Sequence, residues 1–121
     1  MIDLDSELAE EYLAESLQHV DNIEDALLSI GAGQGDVAEG LPSRAFRAVH
    51  SVQGGVGVFD LVRISDLMGQ TEDVLALIRS REMPPTPDRA RVLLGATDRL
   101  RDLIQKPGAS NQADIAESWR R

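Results

Sequence analysis

The chain has no cysteine. Disulfides, thiolate metal sites and cysteine nucleophiles are therefore excluded, and a cytoplasmic setting is expected. Aromatic residues are 3% of the 121 positions, too few to build a platform on which nucleic-acid bases stack. Positive charge is also in short supply, with 12 Lys and Arg against 21 Asp and Glu and a formal net charge of −9. A chain this acidic repels phosphate backbones and anionic lipid, so neither nucleic acid nor a membrane surface is an expected partner. No apolar run approaches the ~20 residues that cross a bilayer. The opening Met1-Ile2-Asp3-Leu4-Asp5 is acidic and lacks the apolar stretch of a signal peptide. No internal repeat and no strand-like alternation is present.

What remains is helical. Hydrophobic residues make up 42%, enough for one domain with a single core. A first helix is predicted over about residues 5–30, with Leu8, Leu13, Leu17, Val20, Ile23, Leu27 and Ile30 on its apolar face. Asp3, Asp5 and Glu7 suit its N-terminal dipole, and the glycines at 31, 33 and 35 end it. A second helix opens near Pro42 and runs toward Gly57. A third, with Asp60 as its N-cap, runs to about Arg81 on a face of Leu61, Ile64, Leu67, Met68, Thr71, Leu75 and Ile78. Thr86 reads as the N-cap and Pro87 as the first residue of a fourth helix, which carries Val92, Leu93, Ala96, Leu100, Leu103 and Ile104 and stops before Pro107. The expected fold is all-α: an up-down antiparallel four-helix bundle over residues 1–106. Residues 107–121 then form a polar tail or the start of a linker, with a possible short extra helix around Asp114 to Trp119. Each helix has one apolar stripe and no second seam, so a monomer is expected.

The second helix carries the most informative residues: Phe46-Arg47-Ala48-Val49-His50-Ser51-Val52-Gln53-Gly54-Gly55-Val56-Gly57-Val58-Phe59. Each helical glycine costs roughly 1 kcal/mol against alanine. At 100° per residue, Ala45, Val49, Val52 and Val56 form the core-facing stripe, with Phe46 and Gln53 at its edge. His50, Gly54 and Gly57 form a second stripe roughly 120° away, with Arg47 beside it one turn before His50. The bare backbone of this stripe lets another protein come close to an exposed imidazole, and Arg47 supplies a cation for an anion carried on the ring. If the second and third helices make a hairpin turning near residues 58–60, the chain passes His50 again at residues 67–72, a window that ends at Glu72. A carboxylate accepting one ring N–H fixes the tautomer and makes the other nitrogen more basic, which suits a nucleophilic histidine. Each feature alone has an ordinary reading: a surface histidine, glycines for close helix packing, one more solvated glutamate. Their combination on one face points to chemistry.

These residues resemble the histidine phosphotransfer (HPt) family, in particular the phosphotransfer domain of CheA-type chemotaxis histidine kinases. The family motif is His-Ser-apolar-Lys-Gly-Gly, a few small residues and Phe-Gly. Here it reads His50-Ser51-Val52-Gln53-Gly54-Gly55, then Val56-Gly57-Val58 and Phe59-Asp60. The stretch Leu8-Ala9-Glu10-Glu11-Tyr12-Leu13-Ala14-Glu15-Ser16 is also similar to the family's first helix, and the resemblance spans roughly residues 3–106. It implies that a histidine kinase catalytic domain, holding ATP and Mg²⁺ itself, phosphorylates His50, with Glu72 orienting the imidazole. His50 then passes the group to an aspartate of a response-regulator receiver domain. Arg47, Gln53, Gly54 and Gly57 would contact the phosphoryl group or the partner. The domain would be a phosphocarrier with no cofactor, metal or nucleotide site of its own. In a longer chain it would form part of a CheA-like protein-histidine kinase.

The chain departs from the pattern in three places. The family lysine is Gln53, which offers a neutral hydrogen bond where lysine offers a charge-assisted one, roughly twice as strong. A second histidine three residues before the glutamate is replaced by Gly69, and the glycine after Phe59 by Asp60. The first two departures motivate an alternative: a phosphorylation-deficient module of the same fold that binds a receiver or kinase domain. Elsewhere, His19 with Glu15 one turn before it is a weak metal signal. Ser51 has no suitably spaced base to activate it, and Trp119 reads as a packing contact.

Overall fold

A computed structural model describes residues 6–31, 40–56, 59, 61–80, 82–84, 86–112, 115 and 119. The described residues contain no strand and five helices: α1 (Glu7–Gly31), α2 (Gly40–Val56), α3 (Val62–Arg79), α4 (Pro87–Gln105) and a single turn, α5 (Pro107–Ser110). The first four form an up-down bundle. α1 packs against α2 and α4, and α2 against α3; α3 and α4 close the ring over a smaller contact. No helix among the described residues is long and apolar enough to cross a membrane.

α1 begins where Ser6 can cap it. The Ser6 hydroxyl accepts the Ala9 N–H at 3.1 Å, and Glu7 and Glu10 in the first turn face the positive end of the dipole. Asp3 and Asp5 lie outside the described residues. The core stripe runs through Ala9, Ser16, Val20, Ile23, Ala26, Leu27 and Ile30, all buried, while Leu13 and Leu17 pack at its margin. Leu8, expected on this face, is 53% exposed. The stripe enters the core through Ala9, one residue and about 100° further round.

The faces predicted for α2 and α3 are the observed ones. Ala45, Val49, Val52 and Val56 are buried on α2, and Leu61, Ile64, Leu67, Met68, Thr71, Leu75 and Ile78 on or beside α3. On α4 the buried set is Ala90, Leu93, Ala96, Thr97, Leu100, Leu103 and Ile104; Val92 lies half-buried at the edge. The two core threonines are satisfied within their own helices, Thr71 donating to the Leu67 carbonyl at 2.8 Å and Thr97 to that of Leu93 at 2.7 Å. Thr86 caps α4 by accepting the Arg89 N–H at 3.2 Å, with Pro87 first in the helix. Arg101 of α4 ties α1 to the bundle through Asp21 and Glu24, each at 3.1 Å.

The start of α3 departs from expectation. Asp60 lies outside the described residues, and the cap position is Leu61, whose side chain makes no capping bond. The cap comes from far along the chain: Asn111 Oδ1 accepts the Val62 N–H at 2.9 Å and sits 3.5 Å from the Arg63 N–H. The short C-terminal helix is α5, earlier than the stretch around Asp114, most of which lies outside the described residues. Ile115 is buried and Trp119 packs against the core, its indole N–H donating to Gln70 of α3. These positions of the polar tail lie against the bundle.

Replacing Asn111 with Ala removes the borrowed cap and is expected to lower unfolding stability by about 1 kcal/mol, read by urea denaturation. Asn111→Asp keeps an acceptor oxygen and is expected to recover most of that loss. Equal stability of the Ala and Asp variants would show that the cap contributes nothing.

Candidate functional site

His50 stands on the outer face of α2 with its side chain 72% exposed. Its Nδ1 faces Glu72 Oε2 at 3.6 Å, and the Glu72 side chain is 27% exposed. The separation is longer than a hydrogen bond. Such contacts are often loose in an unliganded site and tighten when the reacting group is present. Because the two imidazole nitrogens point to opposite sides of the ring, Nε2 is directed away from the carboxylate.

Two contacts between α2 and α3, His50 with Glu72 and Gln53 with Gly69, are symmetric about Leu61, and a third, Phe46 with Arg79, is centred between residues 62 and 63. The turn is therefore centred slightly later than residues 58–60. That places Glu72 opposite His50, where the sequence estimate had it at the limit of the window. The Leu61 N–H donates to the Val56 carbonyl at 3.0 Å, closing the turn.

On one side of the imidazole lies Phe46, its ring nearly parallel to that of His50 (10°) with centroids 6.3 Å apart. The Arg79 guanidinium sits 4.0 Å from the Phe46 ring centroid, within cation–π range. Arg47 is exposed on the other side of His50. The Ser51 hydroxyl donates to the Arg47 carbonyl at 3.0 Å, so it is engaged by its own helix. Gln53 is half-buried with its carbonyl oxygen shielded and unpartnered. Its amide nitrogen lies 4.0 Å from where a Cβ at Gly69 would stand. Two of the three departures from the family pattern are thus neighbours across the α2–α3 seam, the glutamine side chain lying beside the space left by the missing side chain at 69.

The two described glycines of the motif differ in their surroundings. A Cβ at Gly54 would meet nothing within 4 Å, so this part of the helix surface is open. A Cβ at Gly55 would run into the Tyr12 ring at Cε1. Tyr12 of α1 lies against this backbone, stacks on Phe59 with centroids 5.1 Å apart, and donates its hydroxyl to the Val52 carbonyl at 2.5 Å. Burial pushes the Tyr12 phenol above its usual range. Gly57 lies outside the described residues.

Tyr12, Phe46 and Arg79 are the neighbours of the site that sequence reasoning did not single out. The signal for Tyr12 was a lone large aromatic on α1 opposite a helical glycine; for Phe46 and Arg79 it was the hairpin register extended two turns beyond Glu72. His19 is half-buried beside Asn22, Arg44 and Arg47. Among the described residues no three His, Asp or Glu side chains are arranged to hold a metal ion.

Residues 7–106 match the Hpt domain family. The chain is 30% identical over 113 residues to the chemotaxis protein CheA of Rhizobium meliloti (strain 1021), covering 93% of this chain and 15% of that protein. It is 40% identical over 60 residues to the chemotaxis protein CheA of Cereibacter sphaeroides, covering 50% of this chain and 9% of the relative. It is 28% identical over 98 residues to the sensor histidine kinase CheAY of Helicobacter pylori (strain ATCC 700392 / 26695), covering 81% and 12%. The chain therefore spans a small fraction of the length of the curated relatives it matches.

The two motif glycines should respond oppositely to alanine. Gly54→Ala is expected to stabilise the domain by up to about 1 kcal/mol through helix propensity. Gly55→Ala drives a methyl into the Tyr12 ring and is expected to cost about 1–3 kcal/mol. In a Tyr12→Ala background that cost should largely vanish, a coupling that a thermal or urea double-mutant cycle measures. An unchanged cost in that background would place the strain elsewhere.

Proposed function

Because the chain belongs to the Hpt domain family, a family of histidine phosphotransfer modules, we propose that His50 is its phosphoacceptor. We propose further that the domain carries phosphoryl groups from a histidine kinase catalytic domain to a receiver domain. The observation that carries this reading is the pairing of an exposed imidazole with a carboxylate on the adjacent helix, Nδ1 facing Glu72.

In this reading Glu72 favours the tautomer with the proton on Nδ1, so the lone pair of Nε2 is free to attack. The Nε2–P bond forms as the bond between the γ-phosphorus of ATP and its bridging oxygen breaks, and ADP leaves with that electron pair. In the second step an aspartate oxygen of the receiver attacks phosphorus. The N–P bond breaks and its electron pair returns to Nε2. Glu72 stabilises positive charge on the ring while Nε2 is bonded to phosphorus, and Arg47 offsets the phosphoryl charge. The open backbone at Gly54 lets the partner's phosphate or carboxylate come close to the ring. ATP and Mg²⁺ belong to the kinase catalytic domain, and the domain supplies no nucleotide site. The similarity to CheA proteins supports a place in a cytoplasmic, CheA-like chemotaxis pathway.

A second reading rests on Gln53. With no lysine at this position and a glutamine side chain beside Gly69, the phosphoryl group would lack one cationic partner. A module that binds a receiver or kinase domain without carrying phosphate fits that arrangement.

Incubation with ATP-loaded histidine kinase cores, followed by mass spectrometry, separates the two. An acid-labile phosphate on His50, absent in His50→Gln and transferred to a receiver, is the expected result. Glu72→Ala is expected to slow loading about 10- to 100-fold, the worth of one hydrogen bond to a charged group. A folded domain that no kinase modifies at His50 would favour the binding module.

A further inference from the structure

Charge is unevenly paired over this surface. Among the described residues, Arg63, Arg91, Arg99, Arg101 and Lys106 each hold a carboxylate. Arg79, drawn over Phe46, and Arg89, which donates to the Pro84 carbonyl, hold none; nor do Arg44 and Arg47, one turn apart on the exposed side of α2. They line a groove of about 300 Å³ between α1 and α2 together with His19, Asn22, Ala48 and Ser51. Although α1 is rich in acidic residues, it contributes His19 and Asn22 to this groove and no carboxylate. A chain of net charge −9 thus keeps two guanidiniums without a carboxylate partner among the described residues on the helix that carries His50, Arg47 close to it and Arg44 one turn further away.

We propose that this groove is the docking site for an acidic patch of the receiver domain, and that it sets the direction in which the receiver lies on α2. The proposal rests on the reading of His50 as a phosphocarrier and extends it to the partner's footprint. The exposed face of α2 has two unlike halves. Toward the C-terminus, Gly54 leaves the helix bare, which suits flush contact. Toward the N-terminus lie Arg47 and Arg44. Arg44 is six residues from His50, roughly 9 Å along the axis, too far along the helix to serve the phosphoryl group itself. Its charge is available to a surface approaching over the imidazole.

Charge complementarity identifies that surface. The receiver accepts the group on a carboxylate, so the face it brings to His50 carries negative charge, and this face must approach an acidic domain. Repulsion between that face and an acidic domain is offset where a local cationic patch meets it. Of the flanks of His50, the α1–α2 groove is the one lined by two unpaired arginines. On the α3 side, Arg79 is drawn over Phe46.

Titration of the chain with a receiver domain, by calorimetry at several salt concentrations, tests this without depending on His50 chemistry. Binding of the wild type is expected to weaken with salt, as contacts between exposed charges do. Arg44→Glu is expected to raise Kd roughly tenfold or more at low salt and to flatten the salt dependence, whereas Arg44→Lys should stay close to wild type. Circular dichroism and a melting curve confirm that each variant folds. Undiminished affinity in Arg44→Glu, or no binding by the wild type, would overturn the proposal. So would a variant that binds the receiver normally but is loaded more slowly by the kinase core, because the groove would then serve the kinase. Failure of His50 to accept phosphate from phosphoramidate or a kinase would instead count against the carrier reading, and the receiver titration would still decide the fate of the groove.

Discussion

The antiparallel register of α2 on α3 is the constraint on which the site depends. His50 meets Glu72 and Gln53 lies beside Gly69 because the hairpin is centred on Leu61, and Arg79 reaches Phe46 one turn before His50. The His50–Glu72 contact cannot itself hold that register: it is long, one partner is 72% exposed, and exposed pairs contribute about 1 kcal/mol or less. The apolar faces hold it. Leu67, Met68 and Leu75 are each fully buried, and each such side chain contributes about 1.5–3 kcal/mol when removed from water. A one-residue rotation of α3 would expose part of that set, a cost several times larger than any gain at the surface. Packing therefore aims Glu72 at the imidazole, and the chemistry inherits the alignment.

Tyr12 does for α1 what the register does for α3. Its ring occupies the space a side chain at Gly55 would fill, and its hydroxyl satisfies a backbone carbonyl of α2 at Val52. This locks α1 against the half of α2 that follows His50. The adjacent Gly54 points outward into open space. Consecutive glycines thus stand on different faces of one helix, one packed against Tyr12 and the other open.

The surroundings of His50 are also divided. Glu72 and the half-buried Gln53 lie toward α3, while Arg44 and Arg47 lie toward α1 and solvent. An imidazole placed between a carboxylate and a cationic groove has a preferred proton position on one side and a preferred approach for anions on the other. Gln53 and Gly69, far apart in sequence, are neighbours in the first region.

The sequence alone determined the helices, their apolar faces on α2 and α3, the Thr86-Pro87 start of α4 and the exposure of His50, because all of these follow from 3.6-residue periodicity and local capping chemistry. The identity of Glu72 was legible only as far as a hairpin estimate reaches. Tertiary structure decided the rest, through contacts between residues distant in the chain that no local pattern encodes. Asn111 caps a helix that begins 49 positions earlier, Ala9 rather than Leu8 enters the core, and Tyr12 assigns Gly55 to packing while leaving Gly54 open. The placement of Arg44 and Arg47 along a groove that α1 lines with His19 and Asn22 likewise depends on which helix faces lie next to each other, and that is set by burial of the whole core at once.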